Sequence, residues 1–406
     1  MFVPVQINRI VSGDGGRLIR ADARGPLPEL RGKVQAVYCD PPFMTGQKYV
    51  RKRRFGELGW EKGSPQLQVH GYTDRFPDAD AYSALLRDIA VNARDVLTDS
   101  GLFMLHLDWR VSAMARILCD GIFGSGCFVN ELIWAYESGG RASRTFSRKH
   151  DTILIYGKTK DWRLDPMAAG VPRSIRRRSH MKRGVDEEGR EYSIMVSGGK
   201  TYRYYDDDPI SPGDVWTDIS HLQQLDPERT GWPTQKPLKL LHRLLSCAVK
   251  PGEEVLELCC GSGTACAAAD MLGCRWTGID LSEEALVTTA LRMEMKDLTL
   301  DMPVDPSDAA LQGSVNDMGL LVLDAFIPPE NAVFPPSAHP LDPLEAWMTG
   351  NLRDGVFTVR ETFRRTLQHP ALQPMALLEP DAGDPAVVCL DASGRAHAFT
   401  LVPERE

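Results

Sequence analysis

The chain has 406 residues, 43% of them hydrophobic, with a formal net charge of −8; that length suits one large domain with an appendage, or two domains, around a sizeable core. No apolar run reaches membrane-spanning length, so a transmembrane helix is excluded and no membrane partner is expected. The nine cysteines are scattered, form no CxxC pair and offer no His/Cys spacing for a metal, so they read as reduced core thiols of a cytoplasmic protein.

The start, Met1-Phe2-Val3-Pro4-Val5, does not read as a signal peptide. Residues 17–22 read as a short strand ending in Asp22, and a proline-broken connection follows. The apolar run Val34–Cys39 then reads as a buried strand. It must stop at Asp40-Pro41-Pro42-Phe43, because two prolines cannot continue a sheet. The stop leaves a carboxylate, two stiff carbonyls and an aromatic ring at a strand's C-terminal end, where open α/β sheets keep their ligands. An amino group on a flat ring suits this corner: Asp40 and the Pro41 carbonyl can accept its two N–H bonds, and Phe43 can stack on the ring. The competing structural reading is a plain strand-ending turn with an N-cap aspartate. Next comes a polar loop carrying the basic run Lys48, Arg51, Lys52, Arg53 and Arg54 between Tyr49 and Phe55. It reads either as a solvated loop or as a set of phosphate contacts.

Helical spacing runs from Asp80 to Leu97 and again from Val111 to Asp120, with a strand at 102–107 between them. Residues 128–136 and 152–156 read as neighbouring strands. The loop between them carries Gly139, Gly140, Arg141 and Arg144, a composition that suits either approach to a phosphate backbone or a simple exposed hairpin loop. Residues 159–230 break the alternation. They hold Arg173, Arg176, Arg177, Arg178, Lys182 and Arg183, then Tyr202, Tyr204 and Tyr205. This reads as an inserted, loop-rich module, compatible with nucleic acid or with an ordinary surface insertion.

A helix is expected from Leu238. Then Glu254–Leu258, the turn Cys259-Cys260-Gly261-Ser262-Gly263-Thr264, an alanine-rich helix and the strand 274–280 form a βαβ unit of the nucleotide-binding type. Asp280 at the second strand's end can accept both hydroxyls of a ribose. The turn lacks the third glycine of the dinucleotide fingerprint, and there is no GxxxxGK[ST], so an adenosine ligand without a pyrophosphate fits better than NAD or ATP. Beyond residue 297 the chain is acidic, with 17 Asp/Glu against 6 Lys/Arg, which leaves the preceding body slightly basic. It has an amphipathic stretch near 343–368 and two candidate strands at 386–390 and 396–401, joined by a hairpin turn.

On these motifs the chain resembles the DNA amino-methyltransferases of the permuted β class. The resemblance is carried along 17–296 by Asp40-Pro41-Pro42-Phe43, His106-Leu107-Asp108, Asn130-Glu131-Leu132-Ile133-Trp134, Pro233-Thr234-Gln235-Lys236-Pro237, Cys260-Gly261-Ser262-Gly263-Thr264 and Gly278-Ile279-Asp280. It implies an α/β, Rossmann-like fold with a mixed, mostly parallel seven-stranded sheet in permuted order. Residues 1–296 would be the catalytic domain, with 159–230 as a target-recognition insert and 297–406 as a small region of unknown role. It implies methyl transfer from S-adenosylmethionine to adenine N6 of a flipped-out base in double-stranded DNA, without a metal. Cytosine N4, or a methyltransferase subunit of a restriction or defence assembly, are the alternatives. Asp40, Pro41, Pro42 and Phe43 would be catalytic. Asp22, Thr234, Gln235, Lys236, Glu257, Cys259, Cys260, Gly261, Ser262, Gly263, Thr264 and Asp280 would hold the cofactor. The family usually has Asp-Pro-Phe where Glu257-Leu258-Cys259 stands here, so the acid that meets the cofactor's amino group is kept in longer form. Lys48, Arg51, Lys52, Arg53, Arg54, Arg141, Arg144, Arg176, Arg177 and Arg178 would contact DNA. A homodimer, and a protein partner docked on 297–406, complete the expectation.

Overall fold

The computed structural model describes residues 1–60, 67–137, 142–173, 181–336, 339–366, 368–378 and 383–402. Val34–Cys39 is a strand buried at every position, which is what a near-continuous apolar run becomes when helices cover both faces of a parallel sheet. On one side it pairs in parallel with Glu254–Leu258 and on the other with Leu97–Asp108. Beyond Glu254–Leu258 come Arg275–Asp280 and Gly16–Arg20, both parallel. Beyond Leu97–Asp108 come His150–Gly157 and Phe128–Ala135, of which only His150–Gly157 runs against the rest. These seven neighbours form the mixed, mostly parallel block expected.

The sheet does not stop at seven. Among the described residues it has fifteen strands, one of them Val215–Trp216 at the edge beside Phe128–Ala135, and this corrects the expected count. Past Gly16–Arg20 it continues through Leu298–Val304, Ile7–Val11, Val356–Arg364, Leu344–Arg353, Asp384–Asp391, Ala396–Leu401 and Phe2–Pro4. The physical reason is an open edge. Gly16–Arg20 presents unpaired backbone groups, and Leu298–Val304 takes them while also pairing with Ile7–Val11. The acidic region is therefore hydrogen-bonded into the same sheet. Its amphipathic stretch is a strand pair, Leu344–Arg353 with Val356–Arg364, and the candidate hairpin is Asp384–Asp391 with Ala396–Leu401. A separate three-stranded sheet of Ala310–Val315, Leu320–Ile327 and Met375–Leu377 shares a core with it around Trp347, Val387 and Phe399.

Helices cover both faces of the seven-strand block. Ala79–Val96, capped by the Asp78 side chain, and Ser112–Phe123 bury their apolar stripes in one cluster with Val37 and Leu256. Leu238–Ser246, Thr264–Met271 and Glu283–Arg292 pack in the other with Ala36 and Val255. The run after Phe43, expected as a loop, is instead a hairpin of Lys48–Arg53 and Leu67–Thr73. The insert carries a small antiparallel sheet of Lys182–Val185, Glu191–Ser197 and Lys200–Tyr205. No helix among the described residues is long and apolar enough to cross a membrane.

Candidate active site

Leu258 pairs with both Cys39 and Ile279. Asp40, Cys259 and Asp280 therefore stand side by side where three parallel strands end. Chain connections depart in opposite directions from Val34–Cys39 and Glu254–Leu258, which makes the gap between them a topological switch point and a natural crevice. A cavity of about 500 Å³ opens there, lined by Asp22, Asp40, Pro42, Lys236, Glu257 and Asp280 among others. The two motif-bearing stretches, more than two hundred residues apart, meet at one site.

Asp40 is held from one side. Lys236 Nζ lies 2.5 Å from its Oδ2 and 5.0 Å from the centre of the Phe43 ring. Oδ1 is buried and has no hydrogen-bond partner among the described residues. Pro41 is buried behind the corner, and Phe43 is half-buried. Its loop is pinned by a residue that sequence reasoning missed. Asp74 accepts hydrogen bonds from the backbone N–H groups of Phe43, Met44 and Thr45 and from the Thr45 hydroxyl. Those bonds hold Met44 at φ 57°, a conformation costly for a side chain. Only the tertiary return of the hairpin brings Asp74 here, so no local pattern could have flagged it.

The glycine turn forms the opposite wall. Asp280 accepts from Gly261 N at 2.9 Å and from Ser282 N at 2.9 Å; burial pushes its carboxyl up. Each oxygen keeps acceptor capacity for a ligand. Glu257 is buried and accepts from Cys266 N at 2.8 Å; burial pushes its carboxyl up to about 7. Cys259, Cys260, Gly261, Ser262 and Thr264 line the cavity. Gly263 does not: a Cβ there would meet Thr289 at 2.3 Å, so it serves the turn through close packing. Asp22 lies on the wall, with Arg24 donating to it.

The Pro-Thr-Gln-Lys-Pro segment joins the two walls. Thr234, Gln235 and Lys236 line the cavity. Gln235 spends its side chain on Thr230 and Glu228 within the same loop. Glu228 and Thr264 both receive the Arg292 guanidinium, which ties the segment to the glycine turn. Above it, Tyr72 of the hairpin meets Thr234 Oγ1 at 3.1 Å and stacks on Tyr49.

The basic residues divide. Lys48, Lys52, Arg54 and Arg144 are exposed. Arg51 and Arg53 are buried, and their expected place at a DNA surface is corrected. In a strand, alternate side chains face opposite ways, and 51 and 53 fall on the inner face. Arg51 donates to Glu284 O, Thr288 Oγ1 and Ser393 O. Arg53 lies 3.7 Å from Glu345. Arg141, Arg176, Arg177 and Arg178 lie outside the described residues. Among the described residues no group of three His, Cys, Asp or Glu could hold a metal.

A family model described as DNA methylase, of the N6/N4 methyltransferase type, matches residues 34–290. The chain belongs to the DNA methylase family. That match spans both walls of the cavity and the segment joining them. Among curated DNA methylases the chain is similar to the type II methyltransferase M.EcaI of Enterobacter cloacae, 24% identical over 306 residues, covering 64% of this chain and 64% of that one. It is also similar to the DNA adenine methyltransferase YhdJ of Escherichia coli (strain K12), 21% identical over 281 residues, covering 68% of this chain and 82% of that one. The chain thus spans less than two thirds of the length of M.EcaI. A solved structure of the PvuII DNA methyltransferase (cytosine-N4-specific) aligns with a TM-score of 0.45 and 13% identity, over 70% of this chain and 87% of that one.

Proposed function

We propose that the chain transfers a methyl group from S-adenosylmethionine to the N6 amine of an adenine flipped out of double-stranded DNA. The observation that carries the reading is the divided state of Asp40: one oxygen is engaged by Lys236 and the other is buried and unpartnered. A buried acceptor without a donor costs about 1–3 kcal/mol. An exocyclic amine supplies the missing N–H, and the Pro41 carbonyl takes the second. When bound, S-adenosylmethionine supplies an electrophilic methyl on a positively charged sulfur. The donor set fits it: the Asp280 carboxylate suits ribose hydroxyls and Glu257 suits an amino group, on either side of the Gly261 turn, where a Cβ would meet the Trp232 indole at 2.7 Å.

The protein's own part is positioning and charge. An adenine amine is a weak nucleophile because its lone pair is spread into the ring. Two hydrogen bonds at Asp40 and Pro41 hold the nitrogen pyramidal with that pair free, and Asp40 balances the positive charge that develops there before the proton leaves. Phe43 stacks on the flipped ring. The family resemblance associates an aspartate at the corner with adenine and a serine with cytosine, and this, with the similarity to the DNA adenine methyltransferase YhdJ, favours adenine. The exposed Lys48, Lys52, Arg54 and Arg144 supply phosphate contacts. The assignment of catalysis to residues 1–296, in a sheet that 297–406 completes, with a recognition insert at 159–230, is part of the same proposal, as are a homodimer and a partner docked on 297–406.

Labelled cofactor and unmethylated genomic DNA test it, with the product nucleosides separated after digestion. Label in N6-methyladenine is expected; label only in N4-methylcytosine moves the target to cytosine. Asp40→Ala should abolish transfer and leave cofactor affinity within about threefold, since the cofactor wall is built from other strands. Retained turnover removes Asp40 from its role.

A further inference from the structure

Behind the Asp-Pro-Pro-Phe corner runs a buried polar chain that the chemistry above does not use. The Tyr38 hydroxyl lies 2.9 Å from His106 Nδ1, and His106 Nε2 lies 3.1 Å from Asp151 Oδ2. Asp151 Oδ1 accepts from the Tyr136 hydroxyl at 3.1 Å. Tyr38 is 1% exposed, His106 0% and Asp151 7%. The register brings them together: Tyr38 lies beside Met104, two residues before His106, and His106 lies opposite Ile153, two residues after Asp151. Burial pushes the Asp151 carboxyl up, but the hydrogen bond from His106, the nearby Lys236 charge and the hydrogen bond from Tyr136 outweigh it and hold the group low. An ionised Asp151 takes a proton-bearing Nε2, which leaves Nδ1 to accept the Tyr38 O–H. The imidazole is thereby fixed in tautomer and in plane.

That plane matters because of what lies on it. The Phe43 ring is nearly parallel to it, 21° off with centroids 6.4 Å apart. Trp134 and Tyr38 meet its edges at 83° and 90°, so the imidazole cannot turn. Tyr38 also lines the cavity. The plain alternative is a satisfied core histidine linking three strands. Stability alone is served at least as well by apolar side chains of like volume, and a core histidine has no need to lie in offset, near-parallel register with the ring at the reacting corner.

We propose that His106, locked by Asp151 and Tyr38, is a positioning residue for methyl transfer that sets the plane of Phe43 and so the seat of the flipped base. The proposal rests on Phe43 being the stacking residue. Its consequence is specific. Loosening His106 tilts the acceptor base relative to Asp40, while the wall built by Glu257, Gly261 and Asp280 stands. The loss falls on the transfer rate and not on cofactor affinity.

The test measures single-turnover methyl transfer with saturating DNA and cofactor, cofactor affinity by calorimetry and thermal stability, on the full chain and its His106→Ala, His106→Asn and Tyr38→Phe variants. His106→Ala should slow transfer by about 10–100-fold, the scale of an ångström's misplacement, with cofactor affinity within about threefold. His106→Asn keeps an acceptor near the Nδ1 position and should recover part of the rate; Tyr38→Phe, which removes one hydroxyl, should lose about 3–10-fold. Sequencing of modified bases in DNA treated with the parent enzyme identifies the target position. With 2-aminopurine placed there, emission quenched by stacking should rise in His106→Ala and in Phe43→Leu alike. If His106→Ala does not fold, the other two variants carry the test. Parent-like rates in both His106→Asn and Tyr38→Phe, or a His106→Ala effect confined to melting temperature, overturn the proposal. Absence of methyl transfer to any DNA by the unaltered chain overturns the proposed function itself, and this inference with it.

Discussion

Glu257 has a buried carboxyl at the cavity wall beneath the glycine turn, with Cys266 N its neighbour. Burial lifts it from 4.5 to about 7. A raised carboxyl means that the folded chain holds a proton which the unfolded chain has already released. Between pH 4.5 and about 7 this group makes unfolding progressively easier as pH rises. Glu257→Gln removes that component, so without cofactor its melting temperature should fall less than the parent's from pH 5 to pH 7 in a thermal scan; parallel curves would mean that Glu257 does not titrate there. At this scale the sequence was most legible where a motif is contiguous. Asp40 and Lys236 both stand in short, specific strings, although their 2.5 Å pairing across 196 positions is a product of the fold. Asp74 stands in no such string, and His106, though part of the His106-Leu107-Asp108 string, was given no role by it. The first acts by accepting backbone N–H groups thirty residues away, and the second by what is stacked on it.

The hairpin of Lys48–Arg53 and Leu67–Thr73 shows why a charge run misleads when its secondary structure is misjudged. In a loop all five cations can face solvent; in a strand every second one turns inward. Val50 is exposed and Arg51 is not, the reverse of what side-chain chemistry suggests, because Arg51 spans from the hairpin to the helix Glu283–Arg292 and to the turn at Ser393. Arg51→Ala leaves two carbonyls and a hydroxyl without their donor in the interior and should cost about 3 kcal/mol in denaturant unfolding. DNA affinity should stay at the parent level when measured well below the transition. Lys52→Ala should do the opposite, with stability unchanged and the salt dependence of DNA binding shallower by about one unit. The buried strand Val34–Cys39 and the βαβ unit were readable because their apolar runs and glycines act locally. The hairpin was not, because its two halves are polar and its pairing is set by what they pack against.

For the whole molecule, the boundary expected at residue 296 does not correspond to a break in the sheet. Leu298–Val304 lies between Ile7–Val11 and Gly16–Arg20, and the change in charge that suggested a separate region records surface composition, not backbone pairing. A chain ending at 296 exposes the edges of Gly16–Arg20 and Ile7–Val11 and strips Ser393 from Arg51 and Glu345 from Arg53. It should express as aggregate, measured by sedimentation and gel filtration, whereas a freely separable appendage would leave a monodisperse truncated enzyme. The same interleaving constrains synthesis on the ribosome. Residues 7–11 leave the exit tunnel early, but the strand that fills the gap between them and residues 16–20 is about 290 positions downstream. Strand Ile7–Val11 must therefore wait, with that edge unpaired and open to chaperones, until residues 298–304 have been made.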